Sequence, residues 1–220
     1  MDAYLDREDA GRRLGAELAR RDLGDVVVLG LPRGGVPVAA PVAVALGAPL
    51  DVIVVRKLGV PSRPELAMGA IAEGGVRVLD ERVVRRAGVA PWQLEEVEAR
   101  EREALAERVA RLRHGRPRPE LAGRTALVVD DGVATGATAS AAARAARRLG
   151  AARVVVAAPV GATDAIQGLR DADEVVCPRT PEPFGAVAAH YVRFEQTSDA
   201  EVERLLAVSP DRPGPRRRLG

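Results

Sequence analysis

The segment at residues 127–138, LVVDDGVATGAT, determines the fold prediction. An apolar run leads directly into two adjacent aspartates, Asp130 and Asp131, and a loop of small residues follows. A short apolar run that ends in such a loop predicts a buried strand followed by a helix. An ordinary strand–turn–helix would leave the acid pair unexplained, because two neighbouring carboxylates repel each other. The segment therefore favours a binding function over a purely structural one.

The rest of the chain alternates apolar strands with helices. Strands are predicted at 25–31, 50–56, 125–130, 153–160 and 173–178, with a hairpin at 69–80. Helices are predicted at 6–22, at 36–48 with Pro37 in the first turn, and at 91–113, 139–149 and 199–208. Strands that are apolar throughout indicate a sheet covered by helices on both faces, an α/β fold. No internal linker interrupts the pattern, so residues 1–208 are predicted to form one domain.

Composition narrows the class of protein. The chain has 220 residues, a net charge of +2 and one cysteine, Cys177, so no internal disulfide can form. No apolar run is long enough to span a bilayer, and the charged N-terminus is unlike a signal peptide. We therefore expect a cytoplasmic protein without a membrane partner. Residues 209–220 are predicted to be a disordered basic tail, for which a solvated role is favoured over contact with nucleic acid.

The loop after the acid pair has the features of a phosphate site. In open α/β sheets, ligands bind beyond the carboxyl ends of strands. Small residues at the start of a helix expose backbone amides at the favourable end of its dipole. The hydroxyls of Thr135 and Thr138 add donors, and the acid pair suits vicinal hydroxyls or a hydrated Mg²⁺. A phosphate beside sugar hydroxyls describes a ribose 5-phosphate.

This segment resembles the phosphoribosyl pyrophosphate motif of type I phosphoribosyltransferases. The resemblance implies that Asp130 and Asp131 hold the ribose hydroxyls and contact Mg²⁺ through water. It also implies that the loop after them binds the 5-phosphate, with Val133, Ala134, Thr135, Gly136, Ala137 and Thr138 as the substrate-binding residues. Gly132 departs from the motif, which usually has an apolar residue there. Ala134 replaces the aspartate of hypoxanthine-guanine enzymes, which argues against a 6-oxopurine acceptor.

Two further segments resemble the family's pyrophosphate-binding parts. In PRGG, Gly34 and Gly35 would let amides approach the anion and Arg33 would add charge, and we predict a cis peptide at Pro32–Arg33. On its own, PRGG is more typical of a plain glycine turn, but the acid motif reverses that preference. Arg56 and Lys57, the latter the chain's only lysine, would also face pyrophosphate; a solvated strand end is the alternative. Residues 58–68 resemble the flap, a mobile loop that covers the active site.

The segment at about 178–197 resembles the hood that binds the acceptor in this fold. It carries three of the five aromatic residues, and Phe184 and Tyr191 are the candidate acceptor-binding residues. A stacking role and a place in the core of the hood are equally consistent with the sequence.

Five segments in this order resemble a bacterial group of phosphoribosyltransferases with no assigned acceptor: GLPRGGVPVA, DVIVVRKLG, ELAMGAIAEGG, VVDDGVATGAT and TPEPFGAV. The resemblance implies a three-layer α/β/α fold with a mostly parallel central sheet and a small hood. It implies an enzyme that transfers a phosphoribosyl group from Mg²⁺-phosphoribosyl pyrophosphate to a nitrogenous acceptor, with Asp130, Asp131, Arg56 and Lys57 as catalytic residues. A sensing protein of the same fold is the main alternative, and a hydrolase or phosphorylase acting on ribose phosphates is a third. A homodimer is expected, because the fold often forms one.

Overall fold

The computed structural model describes residues 3–207, so the predicted tail at 209–220 lies outside the described residues. The strands are β1 Val26–Gly30, β2 Leu50–Val52, β3 Val55–Val60, β4 Arg63–Ala72, β5 Val76–Leu79, β6 Thr125–Val129, β7 Arg153–Ala157 and β8 Glu174–Val176. The helices are α1 Arg7–Leu18, α2 Gly35–Leu46, α3 Glu81–Arg86, α4 Pro91–Arg113, α5 Ala137–Arg148, α6 Thr163–Gln167 and α7 Asp199–Ala207. The short helices α3 and α6 were not predicted from the sequence.

Five parallel strands form the central sheet, in the order β2-β1-β6-β7-β8. Alternate side chains of β1 enter two different cores, since Val26 and Val28 pack with α1 and α2 while Val27 and Leu29 pack with α5. This confirms the three-layer α/β/α prediction. Strand order reverses between β1 and β6, so the loops after these two strands meet at the crevice where ligands bind in such sheets.

The predicted strand at 50–56 is divided between two sheets. It ends as β2 at Val52, and the chain resumes as β3 in a separate antiparallel sheet of order β3-β4-β5. The second hairpin of this sheet turns at residues 73–75, which confirms the hairpin predicted there.

Pro61 and Pro64 predict an irregular loop at residues 58–68, and that prediction is wrong. A role of this segment as a flap over the site stays a prediction. Residues 58–68 belong to the β3–β4 hairpin. Leu58, Val60 and Met68 are at most 1% exposed and pack into the core that includes α4. Burying these side chains holds the segment in extended form, and Pro64 is tolerated because β5 pairs only with residues 69–72 of β4.

Helix α4 packs more tightly than its charged sequence indicated. A helix charged nearly all round favours a solvated position, and that prediction is wrong, since Val97, Leu105 and Leu112 are buried in the core shared with β3 and β4. The helix ends at Arg113 and His114 takes the left-handed conformation before Gly115.

The 178–197 segment packs against the N-terminus of the chain. Tyr4 forms a parallel bridge with Tyr191, and both rings lie in a small core with Phe184 and Phe194 at its edge. None of the helices within residues 3–207 is long and apolar enough to cross a membrane.

Candidate phosphoribosyl-binding site

The PRGG loop and the acid pair are in direct contact. A Cβ atom placed on Gly34 would lie 2.1 Å from Oδ2 of Asp131, and one on Gly35 would lie 2.5 Å from the carbonyl oxygen of Val129. Only glycine allows the backbone to approach this closely. The predicted cis peptide at Pro32–Arg33 is confirmed. Two segments about 100 residues apart in the chain therefore form one site at the switch between β1 and β6.

The two acids have different surroundings. The Asp130 carboxylate accepts the Asp131 amide at Oδ1 (2.9 Å). The Asp131 carboxylate instead forms an ion pair with Arg7, whose Nε lies 2.8 Å from Oδ2. Burial of the Asp130 carboxyl, followed by the negative charge of Asp131, raises its pKa well above the usual value. Within the described part of the chain, Asp130 is thus the acid of the pair that forms no ion pair.

Arg7 is a site residue that the sequence did not reveal. Besides Asp131, its Nη1 donates to the Glu195 carbonyl oxygen (2.6 Å), and its guanidinium lies 3.8 Å from the centre of the Phe194 ring. The hydroxyl of Tyr191 donates to the backbone carbonyl of Asp131 (2.5 Å). Arg7 stands among several charged residues near the N-terminus, 124 positions from Asp131, and no local motif marks it.

The loop after the acids is fixed at one point and open beyond it. Val133 is buried, donates its amide to Val160 (3.0 Å) and accepts from the amide of Ala162 (2.8 Å). Beyond Val133, the amides of residues 134–136 have no acceptor among the described residues. The loop side chains are exposed at Ala134, Thr135, Ala137 and Thr138. Gly136 has φ of 77°, a left-handed conformation that favours glycine, just before α5.

Gly132, the departure from the usual motif, has a packing explanation. A Cβ atom there would lie 2.5 Å from a methyl carbon of Val187. The hood segment thus approaches the acid loop closely enough that an apolar side chain at position 132 would displace it.

Arg56 and Lys57 lie on opposite faces of the β3–β4 hairpin, as neighbours on a strand must. Arg56 turns to α4, where its Nη2 is 2.6 Å from Oε2 of Glu101. The Nζ of Lys57 donates to the Glu65 carbonyl oxygen (3.1 Å). Of the two predicted pyrophosphate contacts, Arg56 is thus paired with α4 and Lys57 with the backbone of its own hairpin, and both line one cavity beside α4.

Arg33 and the two predicted acceptor residues, Tyr191 and Phe184, differ in how many contacts their side chains make and in how deeply they are buried. Within the described chain, Arg33 makes no ion pair or side-chain hydrogen bond. Tyr191 is 6% exposed and packs against Tyr4 and Phe194, with ring centres 5.6 and 5.1 Å away, and burial raises the pKa of its hydroxyl. This is the core position that was one of the two expectations. Phe184 is half-buried and keeps part of its ring surface accessible.

The donor set fits a magnesium ion carried by the substrate. Within residues 3–207, no group of three or more His, Cys, Asp or Glu side chains is arranged to hold a metal. Mg²⁺ usually keeps several waters and binds through one or two carboxylates together with phosphate oxygens. Asp130 and Asp131 are the residues that would hold such a hydrated ion through its waters.

Comparisons with known proteins agree with this arrangement. A family model described as the phosphoribosyl transferase domain matches residues 1–188. Two Mycobacterium tuberculosis sequences with a provisional phosphoribosyl transferase name, from strains CDC 1551 and H37Rv, are each 54% identical over 207 residues. The match covers 94% of this chain and 47% of theirs, so the chain spans about half the length of these curated relatives.

A solved structure is also similar. The protein TT1426 from Thermus thermophilus is 45% identical, with a TM-score of 0.80, and the match covers 94% of this chain and 98% of that one. The family model covers well over half of the chain. The chain therefore belongs to the phosphoribosyl transferase domain family.

Proposed function

We propose that this domain binds Mg²⁺-phosphoribosyl pyrophosphate and transfers its phosphoribosyl group to a nitrogenous acceptor, releasing pyrophosphate. The observation that carries the proposal is the contact between Gly34 of the PRGG loop and the Asp131 carboxylate. It joins a site for sugar hydroxyls to a loop suited to an anion, and a donor with phosphate at both ends of a ribose needs both.

Each part of the donor has a matching element. The free amides of residues 134–136 and the start of α5 would receive the 5-phosphate. Asp130 and Asp131 would accept hydrogen bonds from the ribose hydroxyls. Backbone amides at Gly34 and Gly35, with the charges of Arg33 and Lys57, would hold the pyrophosphate.

The chemistry follows from this placement. The bond between the anomeric carbon and the pyrophosphate oxygen breaks, a bond from that carbon to the acceptor nitrogen forms, and the acceptor gives up a proton. Positive charge develops on the ribose ring, and carboxylates fixed beside it favour that charge. Bound Mg²⁺ would neutralise the departing pyrophosphate. Anchoring the 5-phosphate at the far end positions the reacting carbon.

The acceptor is constrained but not identified. Ala134 offers no acid to protonate a purine at the position where hypoxanthine-guanine enzymes have one. The half-buried ring of Phe184 is better placed to stack on a base than the enclosed ring of Tyr191. We therefore expect a nitrogenous acceptor that docks near Phe184. A cytoplasmic location and a homodimer stay predictions from the sequence, and light scattering would measure the second.

The test is calorimetric titration with phosphoribosyl pyrophosphate and Mg²⁺. Wild type and an Asp130→Asn/Asp131→Asn variant are compared, with Glu8→Gln on the exposed face of α1 as a matched control. We expect micromolar binding in wild type and the control, and its loss in the double variant. No binding by wild type would contradict the proposal. Binding without pyrophosphate release across a panel of nitrogenous bases would instead favour the sensing alternative.

A further inference from the structure

Arg7 connects three separate parts of the molecule at the candidate site. It is the first residue of α1, it pairs with Asp131 after β6, and it bonds to Glu195 in the hood segment. Its guanidinium also covers the Phe194 ring. Only 12% of the Arg7 side chain and 15% of the Asp131 side chain are exposed. A pair this enclosed is held in one geometry far more firmly than a surface ion pair.

The contacts divide the Asp131 carboxylate between two tasks. Oδ2 receives the Arg7 Nε–H at 2.8 Å, and the backbone carbonyl of the same residue receives the Tyr191 hydroxyl. These two contacts fix the Asp131 side chain and backbone. The other carboxylate oxygen, Oδ1, therefore points in a fixed direction and can accept a hydrogen bond from one hydroxyl. The Arg7 fork cannot turn to release Oδ2 without also losing its Nη1 bond to the hood.

We propose that Arg7 is a positioning residue for ribose recognition: it fixes the Asp131 carboxylate and ties the hood segment to the sugar site. This inference rests on the proposed function, because it assumes that Asp131 meets a ribose hydroxyl. Arg7 acts through Asp131 and touches no reacting atom. Its contribution is therefore confined to ligands that carry the sugar.

The role of Arg7 can therefore be tested by comparing a ligand that carries the sugar with one that does not. Wild type, Arg7→Gln and Arg7→Lys are titrated calorimetrically with ribose 5-phosphate and, separately, with inorganic phosphate, which has no sugar hydroxyls. We expect Arg7→Gln to weaken ribose 5-phosphate about tenfold, the cost of one charge-assisted contact, and to leave phosphate binding within about twofold. Arg7→Lys keeps the charge but cannot bridge Asp131 and Glu195, so it should recover only part of the affinity. Arg12→Gln, on the exposed side of the same helix, is the matched control.

A double-mutant cycle separates positioning from general damage. In an Asp131→Asn background, Arg7→Gln should weaken ribose 5-phosphate little further, because residues that act through one another are not additive. Full additivity, or an equal loss of both ligands together with a lower unfolding temperature, would overturn the inference in favour of a structural role. Unchanged ribose 5-phosphate affinity in Arg7→Gln would also overturn it. Failure of wild type to bind either ligand would instead overturn the proposed function.

Discussion

Two enclosed sites within residues 3–207 each place one arginine beside two acids, and they differ in how many of the acids the arginine pairs with. At the first, Arg113 at the end of α4 lies between Asp51 of β2 and Glu73 of the β4–β5 turn, and all three side chains are at most 9% exposed. Arg113 donates to Asp51 (Nε–Oδ2 3.0 Å), to Glu73 (Nη1–Oε2 2.7 Å) and to the Val52 carbonyl. Glu73 also accepts the Val54 amide at 3.0 Å.

At the second site, Arg7 forms an ion pair with Asp131 and, within the described residues, none with Asp130. Asp131 has the guanidinium, while the Asp130 carboxylate accepts, among residues 3–207, only the amide of its neighbour. The difference shows how similar residues yield different roles. The bonded triad joins α4 to both sheets, whereas an acid that has no ion pair retains bonding capacity for a ligand.

Arg113→Met should have the largest effect on stability. It leaves the carboxylates of Asp51 and Glu73 buried without a cation, and breaking such a group typically costs about 3–5 kcal/mol. Urea unfolding measures the loss. Adding Asp51→Asn and Glu73→Gln to Arg113→Met should recover much of it, because the buried charges are then gone. A loss below about 1 kcal/mol for Arg113→Met alone would show that the triad does not differ from a surface pair.

Gly34→Ala should damage the incomplete site through contact alone. The added Cβ would stand 2.1 Å from the Asp131 carboxylate, so the loop or the acid must move. We expect phosphoribosyl pyrophosphate affinity to fall at least about tenfold and the unfolding free energy to fall by about 1–2 kcal/mol. Gly168→Ala is the control, since its nearest new contact is 3.2 Å away. Unchanged affinity in Gly34→Ala would show that the two loops do not act as one site.

Local patterns were enough to predict the parts of the site that lie within one loop. The acid pair and the glycines of PRGG are contiguous in sequence, and both follow apolar strands, so their meeting at the sheet edge follows from the α/β fold. The β3–β4 hairpin was missed because Pro61 and Pro64 indicate a loop, although the apolar positions Leu58 and Val60 alternate as in a strand. Here the burial of side chains outweighed the local signal of proline.

The two arginines at the centre of the comparison were beyond sequence reasoning for another reason. Arg7 and Asp131 are 124 residues apart, and Arg113 and Asp51 are 62 apart. In a chain with 33 basic and 31 acidic residues, nothing local distinguishes the pairs that become buried from those that stay in water. Only the packing of α1 on the hood and of α4 on the sheets selects them.

Asp130→Asn should make the protein more stable at neutral pH while it removes ligand binding. The folded pKa of Asp130 is raised above its ordinary value of 3.8, so wild-type stability falls as pH rises from about that value to the raised folded pKa. Asn removes this penalty. We expect a gain of about 1 kcal/mol at pH 7 that disappears near pH 3, measured by urea unfolding in metal-free buffer at both pH values.

Asp131→Asn is the matched control for this prediction. It removes the partner of Arg7 and should not stabilise the protein. A destabilised Asp130→Asn variant at pH 7 would show that bonds in the folded protein offset the burial of the Asp130 carboxylate, and the comparison would fail.

Arg12→Gln should have the smallest effect, and it defines the baseline for the other three. Arg12 pairs with Glu8 one turn away on α1, but 55% and 71% of these side chains are exposed, so water already solvates both charges. We expect a change of at most about 0.5 kcal/mol, abolished in 1 M salt, and unchanged ligand affinity. Urea unfolding at low and high salt measures the first part, and calorimetry measures the second. An equal loss of unfolding free energy in Arg12→Gln and Arg7→Gln would show that enclosing the Arg7 ion pair adds nothing to stability. The distinction between acids with and without an ion pair would then lose its physical basis.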